Sequence, residues 1–250
     1  SPLTGIWLET YGDIVNDAFA KLKTCNVCAW ECRVNRLEGK LGICQTGELA
    51  WVDGYGPHLG EENPIRGWRG SGTIFFARCN MRCQYCQNPD ISQASSGKLM
   101  TPQEIAEIMM ELQASGCHNI NLVSPSHIAP QILAAVNLAA QAGLHLPLVY
   151  NTGGYDSVDM LRLLDGVIDI YMPDMKYGSS QIGRHYSKVK NYAQINQAAV
   201  KEMKSYSRGG LVLSELTAEQ RRALKIDNGL LVEEASGDAV RSGIRQGDVI

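Results

Sequence analysis

Cys79-x3-Cys83-x2-Cys86 puts three thiols on one short stretch. Three cysteines can hold three irons of a four-iron, four-sulfide cube and leave the fourth iron open, whereas structural zinc and electron-transfer clusters take four protein ligands. An open iron can chelate a small molecule through amino and carboxylate groups and pass it an electron. The competing reading is a zinc site completed by Cys117 or a nearby His. A loop of this spacing directly after a strand argues against it.

A second set, Cys25-x2-Cys28-x3-Cys32-x11-Cys44, offers four ligands on a loop-rich segment. That is the pattern of a closed tetrahedral zinc or of a second iron–sulfur cluster, and thiolate ligands do not choose between the two. Cys117, between Gly116 and an expected strand, reads as a small core residue.

The elements that must position these residues follow from periodicity. Thr73–Ala77 is a short β-branched and aromatic run that reads as a buried strand ending just before Cys79. Thr101, followed by Pro102 and by Glu104 three residues on, starts a helix that runs to about Ser115 before Gly116. Strands are expected near 119–123, 146–150 and 167–171, with helices near 129–142, 157–164 and 191–204. Strands alternating with helices imply parallel βαβ units, hence an α/β fold, open or barrel-like, with its site at the C-terminal strand ends. Gly54-Tyr55-Gly56-Pro57 and Glu62-Asn63-Pro64 read as loops or short hairpins.

Gly70–Phe76, leading into Cys79-Asn80-Met81-Arg82-Cys83-Gln84-Tyr85-Cys86-Gln87-Asn88, resembles the strand and cluster loop of the radical S-adenosylmethionine (SAM) superfamily. Asn121–His127, Tyr150–Tyr155 and Tyr171–Tyr177 extend the resemblance to the subfamily of pyruvate formate-lyase activating enzyme-like proteins, over roughly residues 20–205. The resemblance implies a partial (β/α) barrel, a [4Fe–4S] cluster on Cys79, Cys83 and Cys86, and SAM as cofactor. The reaction is then reductive SAM cleavage, directed at a glycyl-radical-type protein; the alternatives are another radical SAM modification, or a non-functional chimera with a PDZ peptide-binding fragment. The electron is expected from a flavodoxin or ferredoxin. By position, Tyr85 and Asn151 border SAM, Ser126 and His127 lie on the segment that holds its amino group, and Asp174 with Lys176 fix it. Gly72 supports the loop. The Gly-Gly-Glu segment usual after the second strand is replaced by Ser124-Pro125-Ser126-His127. Residues 25–44 match the subfamily's Cys-rich extension.

Leu211–Thr217 and Gly237–Ile250 are similar to part of a PDZ domain of the HtrA-type serine proteases, which bind peptide C-termini. The expected organisation is an N-terminal Cys-rich extension (1–69), a radical SAM partial barrel (70–206) and a partial PDZ-like segment (207–250). The start at Ser1, the stop at Ile250 and the change of text near Tyr206 suggest a chain cut from longer parents and joined artificially. The barrel is then truncated. A natural fusion is the alternative.

With 23 Lys plus Arg against 26 Asp plus Glu, the chain has no excess of positive charge to attract nucleic acid. No apolar run reaches the about 18 residues that span a bilayer, and no signal-peptide order is visible at the N-terminus. A cytoplasmic protein with no membrane partner is expected. All eight cysteines lie in the first half of the chain in clusters too tight for a disulfide framework.

Overall fold

The computed structural model describes residues 5–61, 63–94, 96–205, 211–215, 219, 222–223, 230–235 and 245–247. In chain order the elements are α1 (Gly5–Ala20), β1 (Ala50–His58), α2 (Asn63–Arg66), β2 (Ser71–Phe76), α3 (Pro89–Gln93), β3 (Lys98–Met100) and α4 (Pro102–Ala114). Next come β4 (Ile120–Val123), α5 (Ala129–Gln141), β5 (Leu148–Thr152), α6 (Val158–Leu163), β6 (Ile170–Pro173), α7 (Ser180–Ser187) and α8 (Tyr192–Ser205). The described pieces of the C-terminal part add β7 (Leu211–Glu215) and β8 (Leu230–Ala235). The chain divides into a compact unit Ser1–Lys204 and a second unit Ser205–Ile250.

The first unit is built on a six-stranded sheet of order β3-β1-β2-β4-β5-β6. The pairs β2–β4, β4–β5 and β5–β6 are parallel, each crossover carrying a helix, so the chain has an α/β fold with a mostly parallel sheet. At one side the sheet turns antiparallel, β1 pairing with β2 and with β3. β1 contains the Gly54–Pro57 stretch that reads as a turn in sequence. Its ladder to β2, with Gly56 opposite Thr73 and Pro57 opposite Gly72, supplies the hydrogen bonds that propensity does not.

Local signals explain the rest. α4 begins with a capping box, Thr101 Oγ1 accepting from Glu104 N–H and Glu104 accepting from the Thr101 N–H, with Pro102 in the first turn. It buries Ile105, Ile108, Met109 and Leu112. α5 is buried almost all round, because α4 and α1 both pack on it. Among the described residues no helix is long and apolar enough to cross a membrane.

In the second unit, β7 and β8 form an antiparallel pair. Most of the PDZ-like text, including Gly237–Ile250 apart from residues 245–247, lies outside the described residues.

Candidate active site

The C-terminal ends of the four parallel strands converge on one cavity of about 810 Å³. β2 contributes Phe75 and Phe76, β4 Val123 and the following Ser124, β5 Asn151 and Thr152, and β6 Met172 and Pro173. Parallel strands expose their C-terminal ends on the same side, which gathers distant segments into one site.

The loop after β2 brings Cys79, Cys83, Tyr85 and Cys86 to the same cavity. It leaves the strand through Arg78, whose φ of 61° lies in the left-handed region. Donors reach all three sulfurs. Met81 N–H points at Cys79 Sγ (3.4 Å), Ser187 Oγ donates to Cys83 Sγ (2.9 Å), and Ser92 Oγ lies 3.2 Å from Cys86 Sγ. Ser187 is held in turn by Tyr177 through their hydroxyls, 2.5 Å apart. Burial pushes the Cys79 thiol up to about 11. A thiol so held ionises when a cation stands beside it, the condition a metal ligand meets.

Three thiols of one loop on one cavity, each reached by a donor, fit a [4Fe–4S] cluster with one iron left for another ligand. Among the described residues no three His, Cys, Asp or Glu side chains converge on the position of one ion. A cube carries its thiolates on separate irons and does not require such convergence.

Asp174 and Lys176 line the same cavity and are joined by an ion pair of 2.5 Å. Burial disfavours the Lys176 ammonium, but Asp174 outweighs it, followed by the nearby Cys83 and Cys79, and the lysine is held above its usual range. This wall is fixed from α8. Tyr192 Oη donates to Gly153 O and Asp174 O at 2.9 and 3.1 Å, and Asn196 Nδ2 donates to Gly154 O and Asp174 O at 3.1 and 2.8 Å. Gly154 is required there. Its φ is +71°, and a Cβ would stand 2.5 Å from Asp174 O.

Of the residues singled out in sequence, Cys79, Cys83, Cys86, Tyr85, Asn151, Asp174 and Lys176 line the cavity. Ser126 and His127 do not. Ser124, at φ 61°, turns the chain after β4 and itself lines the cavity, sending the next residues into the core. Ser126 Oγ pairs with Thr152 Oγ1 at 2.8 Å, and His127 Nε2 lies 3.0 Å from Ala77 O. His127 is fully buried and held down to about 3, by burial first and then by the Arg36 guanidinium, so it is neutral. Gly72 packs against the residue that precedes β4, where a Cβ would meet Asn119 O at 2.7 Å. Cys117 is a buried core residue and His118 Nε2 accepts from Arg69 N–H.

Ser187, Tyr192 and Asn196 carry no signal in the sequence, and Ser124 carries one only as the head of the segment that stands where the resembled family has Gly-Gly-Glu.

The family model described as the Radical SAM superfamily matches residues 73–218. An uncharacterized protein of Methanocaldococcus jannaschii, MJ0674, is 35% identical over 180 residues, covering 69% of this chain and 51% of that protein. A 7-carboxy-7-deazaguanine synthase of Methanothermobacter thermautotrophicus is 38% identical over 49 residues, 20% of either chain. The chain thus spans about half the length of the first of these curated relatives and a fifth of the second.

Proposed function

We propose a specific role for this chain, which belongs to the radical SAM superfamily: it cleaves SAM at a cluster on Cys79, Cys83 and Cys86 and directs the product at a backbone hydrogen of a protein. Superfamily membership makes it a SAM-cleaving iron–sulfur enzyme, with a [4Fe–4S] cluster and SAM as cofactors. The observation that carries the reading is the opening of the cluster loop onto the same cavity as the ends of β4, β5 and β6.

When bound, the cluster supplies the electron that splits the sulfonium of SAM into methionine and a 5′-deoxyadenosyl radical. The protein's own residues bind and orient. Lys176 offers an ammonium and Asp174 a carboxylate on the wall of the same cavity, suited to the SAM carboxylate and to ribose hydroxyls or the amino group. Asn151 adds an amide at the end of β5, and Tyr85 an aromatic face for adenine. Ser187, Ser92 and the Met81 N–H stabilise thiolate charge by donating to sulfur.

A macromolecular substrate is supported by the rim. Leu59, Tyr85 and Met175 are 60%, 53% and 75% exposed, and each lines the cavity or sits between residues that do. Large exposed apolar side chains around a polar cavity suit a polypeptide laid over its mouth. A glycyl-radical-type protein is the substrate class that the resembled subfamily implies, and a flavodoxin or ferredoxin the reductant. The short match to the deazaguanine synthase supports shared cofactor chemistry rather than a shared substrate.

The test uses protein extracts from cells grown on α-deuterated glycine, added anaerobically with SAM and a low-potential reductant. Deuterium in the recovered 5′-deoxyadenosine is expected. Unlabelled 5′-deoxyadenosine, formed at a rate independent of the added protein, would reject the glycine substrate while leaving SAM cleavage intact.

A further inference from the structure

The cysteines of the N-terminal segment lie outside the SAM cavity, and no step above uses them. Cys25, Cys28 and Cys44 are buried, with Cys32 more open. Their loop is closed by Cys25 N–H to Val34 O and by Arg33 N–H to Cys25 O, both 2.9 Å. Glu31 (φ 42°) and Arg33 (φ 57°) flank Cys32, and Gln45 (φ 53°) follows Cys44, all in the left-handed region that side chains rarely adopt. Such conformations persist where the surroundings over-determine them, and they cluster at functional sites. Gly42 leaves the room Cys32 takes, since a Cβ there would meet Cys32 Cβ and Sγ at 2.8 Å.

Arg36 is the second observation. It is 1% exposed. Its Nε and Nη2 donate to Gly47 O at 3.0 and 2.8 Å, and its Nη1 donates to His127 O at 2.8 Å and to Cys25 Sγ at 3.9 Å. Among the described residues no carboxylate forms an ion pair with it. A guanidinium does not shed its proton, and an uncompensated buried charge costs several kcal/mol. Carbonyl dipoles satisfy its N–H groups but bring no net negative charge. The group beside it that can become anionic is the cysteine set, which also receives the Ile43 N–H on Cys32 Sγ at 3.5 Å.

We propose that Cys25, Cys28, Cys32 and Cys44 bind a second [4Fe–4S] cube as four thiolates, separate from the SAM cavity, with Arg36 as its buried counter-charge. Among the described residues no three such side chains converge on one ion, which argues against zinc, whereas a cube takes each thiolate on its own iron. The thiolates lose their protons to solvent, and the oxidised cube leaves a dianion that the guanidinium partly balances. The centre also underlies the SAM-cluster loop. Arg78 and Arg82, either side of Cys79, donate to Gln45 O at 2.5 Å and Ile43 O at 3.4 Å, the two neighbours of Cys44. Trp30 Nε1 donates to Asn80 O at 2.6 Å.

The test removes the SAM cluster first. The full chain carrying Cys79→Ala, Cys83→Ala and Cys86→Ala, purified anaerobically after growth with iron, should hold about four irons with matching sulfide. One zinc in their place, or no metal at all, overturns the proposal. Adding Cys25→Ser and Cys44→Ser should abolish the binding, and metal retained in that variant also overturns it. Arg36→Met should release the metal to a chelator at least about ten-fold faster, with Arg36→Lys between the two. Equal release rates would remove Arg36 from the site. Should the triple variant fail to fold, the unaltered chain gives the answer. Cys32 should resist alkylation until chelator is added, and its ready alkylation beforehand overturns the proposal.

Discussion

Asp174 and Lys176 are partly exposed, so their mutual attraction adds little to folding and their value lies in what they offer a ligand. Replacing both, Asp174→Asn with Lys176→Met, should weaken SAM binding by about ten-fold or more, since charge-assisted hydrogen bonds are lost from the cavity wall. Equilibrium dialysis with the reconstituted protein checks this, and unchanged affinity rejects the assignment. His127 gives a pH prediction instead. Its folded value, about 3, lies below its ordinary value, so protons favour the unfolded chain. The resulting stability is present above about pH 6.5 and is lost as pH falls toward 3, at about 1.4 kcal/mol per pH unit. Urea unfolding at pH 6.5 and 5 should show the unaltered chain losing about 2 kcal/mol more than His127→Gln. At this scale the cysteines were legible because cluster chemistry constrains type and spacing together. Ser126 and His127 were not, because the left-handed φ at Ser124 reverses which side chains face the cavity, and a non-glycine residue gives no sign of that in sequence.

The elements carry the site by holding strand ends still. α8 grips the cavity wall through Tyr192 and Asn196, which touch backbone carbonyls of residues 153, 154 and 174. Asn196→Ala leaves two buried carbonyls with a lost donor. It should lower stability by about 1–3 kcal/mol and weaken SAM binding, while cluster iron content stays unchanged. Equal SAM affinity by dialysis would confine Asn196 to folding. In α4, Thr101→Ala removes the capping box and should cost about 1 kcal/mol, read by urea unfolding, with no change in SAM affinity. The βαβ alternation from β2 to β6 was legible in the runs of its main strands and helices, and α4 in its start signal as well. β1 was not, because Gly54, Gly56 and Pro57 read as a turn until the partner strand is known. α7 was hidden for a similar reason. Gly183 reads as a breaker, yet a Cβ there would meet Tyr192 Cβ at 2.9 Å, so packing demands it.

Over the whole molecule, the cavity, the cluster loop and the Cys25–Cys44 segment all belong to the compact unit Ser1–Lys204. A chain ending at Ser205 should therefore keep its cluster and its response to SAM by electron paramagnetic resonance. Loss of the cluster on that truncation would assign the rest of the family match, which runs to residue 218, a part in building the site. Cys79, Cys83 and Cys86 together are assigned a cluster that cleaves SAM. The direct measurement is product analysis of the anaerobically reconstituted full chain, reduced in the presence of SAM. It should yield equal amounts of 5′-deoxyadenosine and methionine, and Cys83→Ala should yield neither. Intact SAM after reduction of a protein that carries its full complement of iron and sulfide would contradict the claim, as would 5′-deoxyadenosine formed equally well by Cys83→Ala.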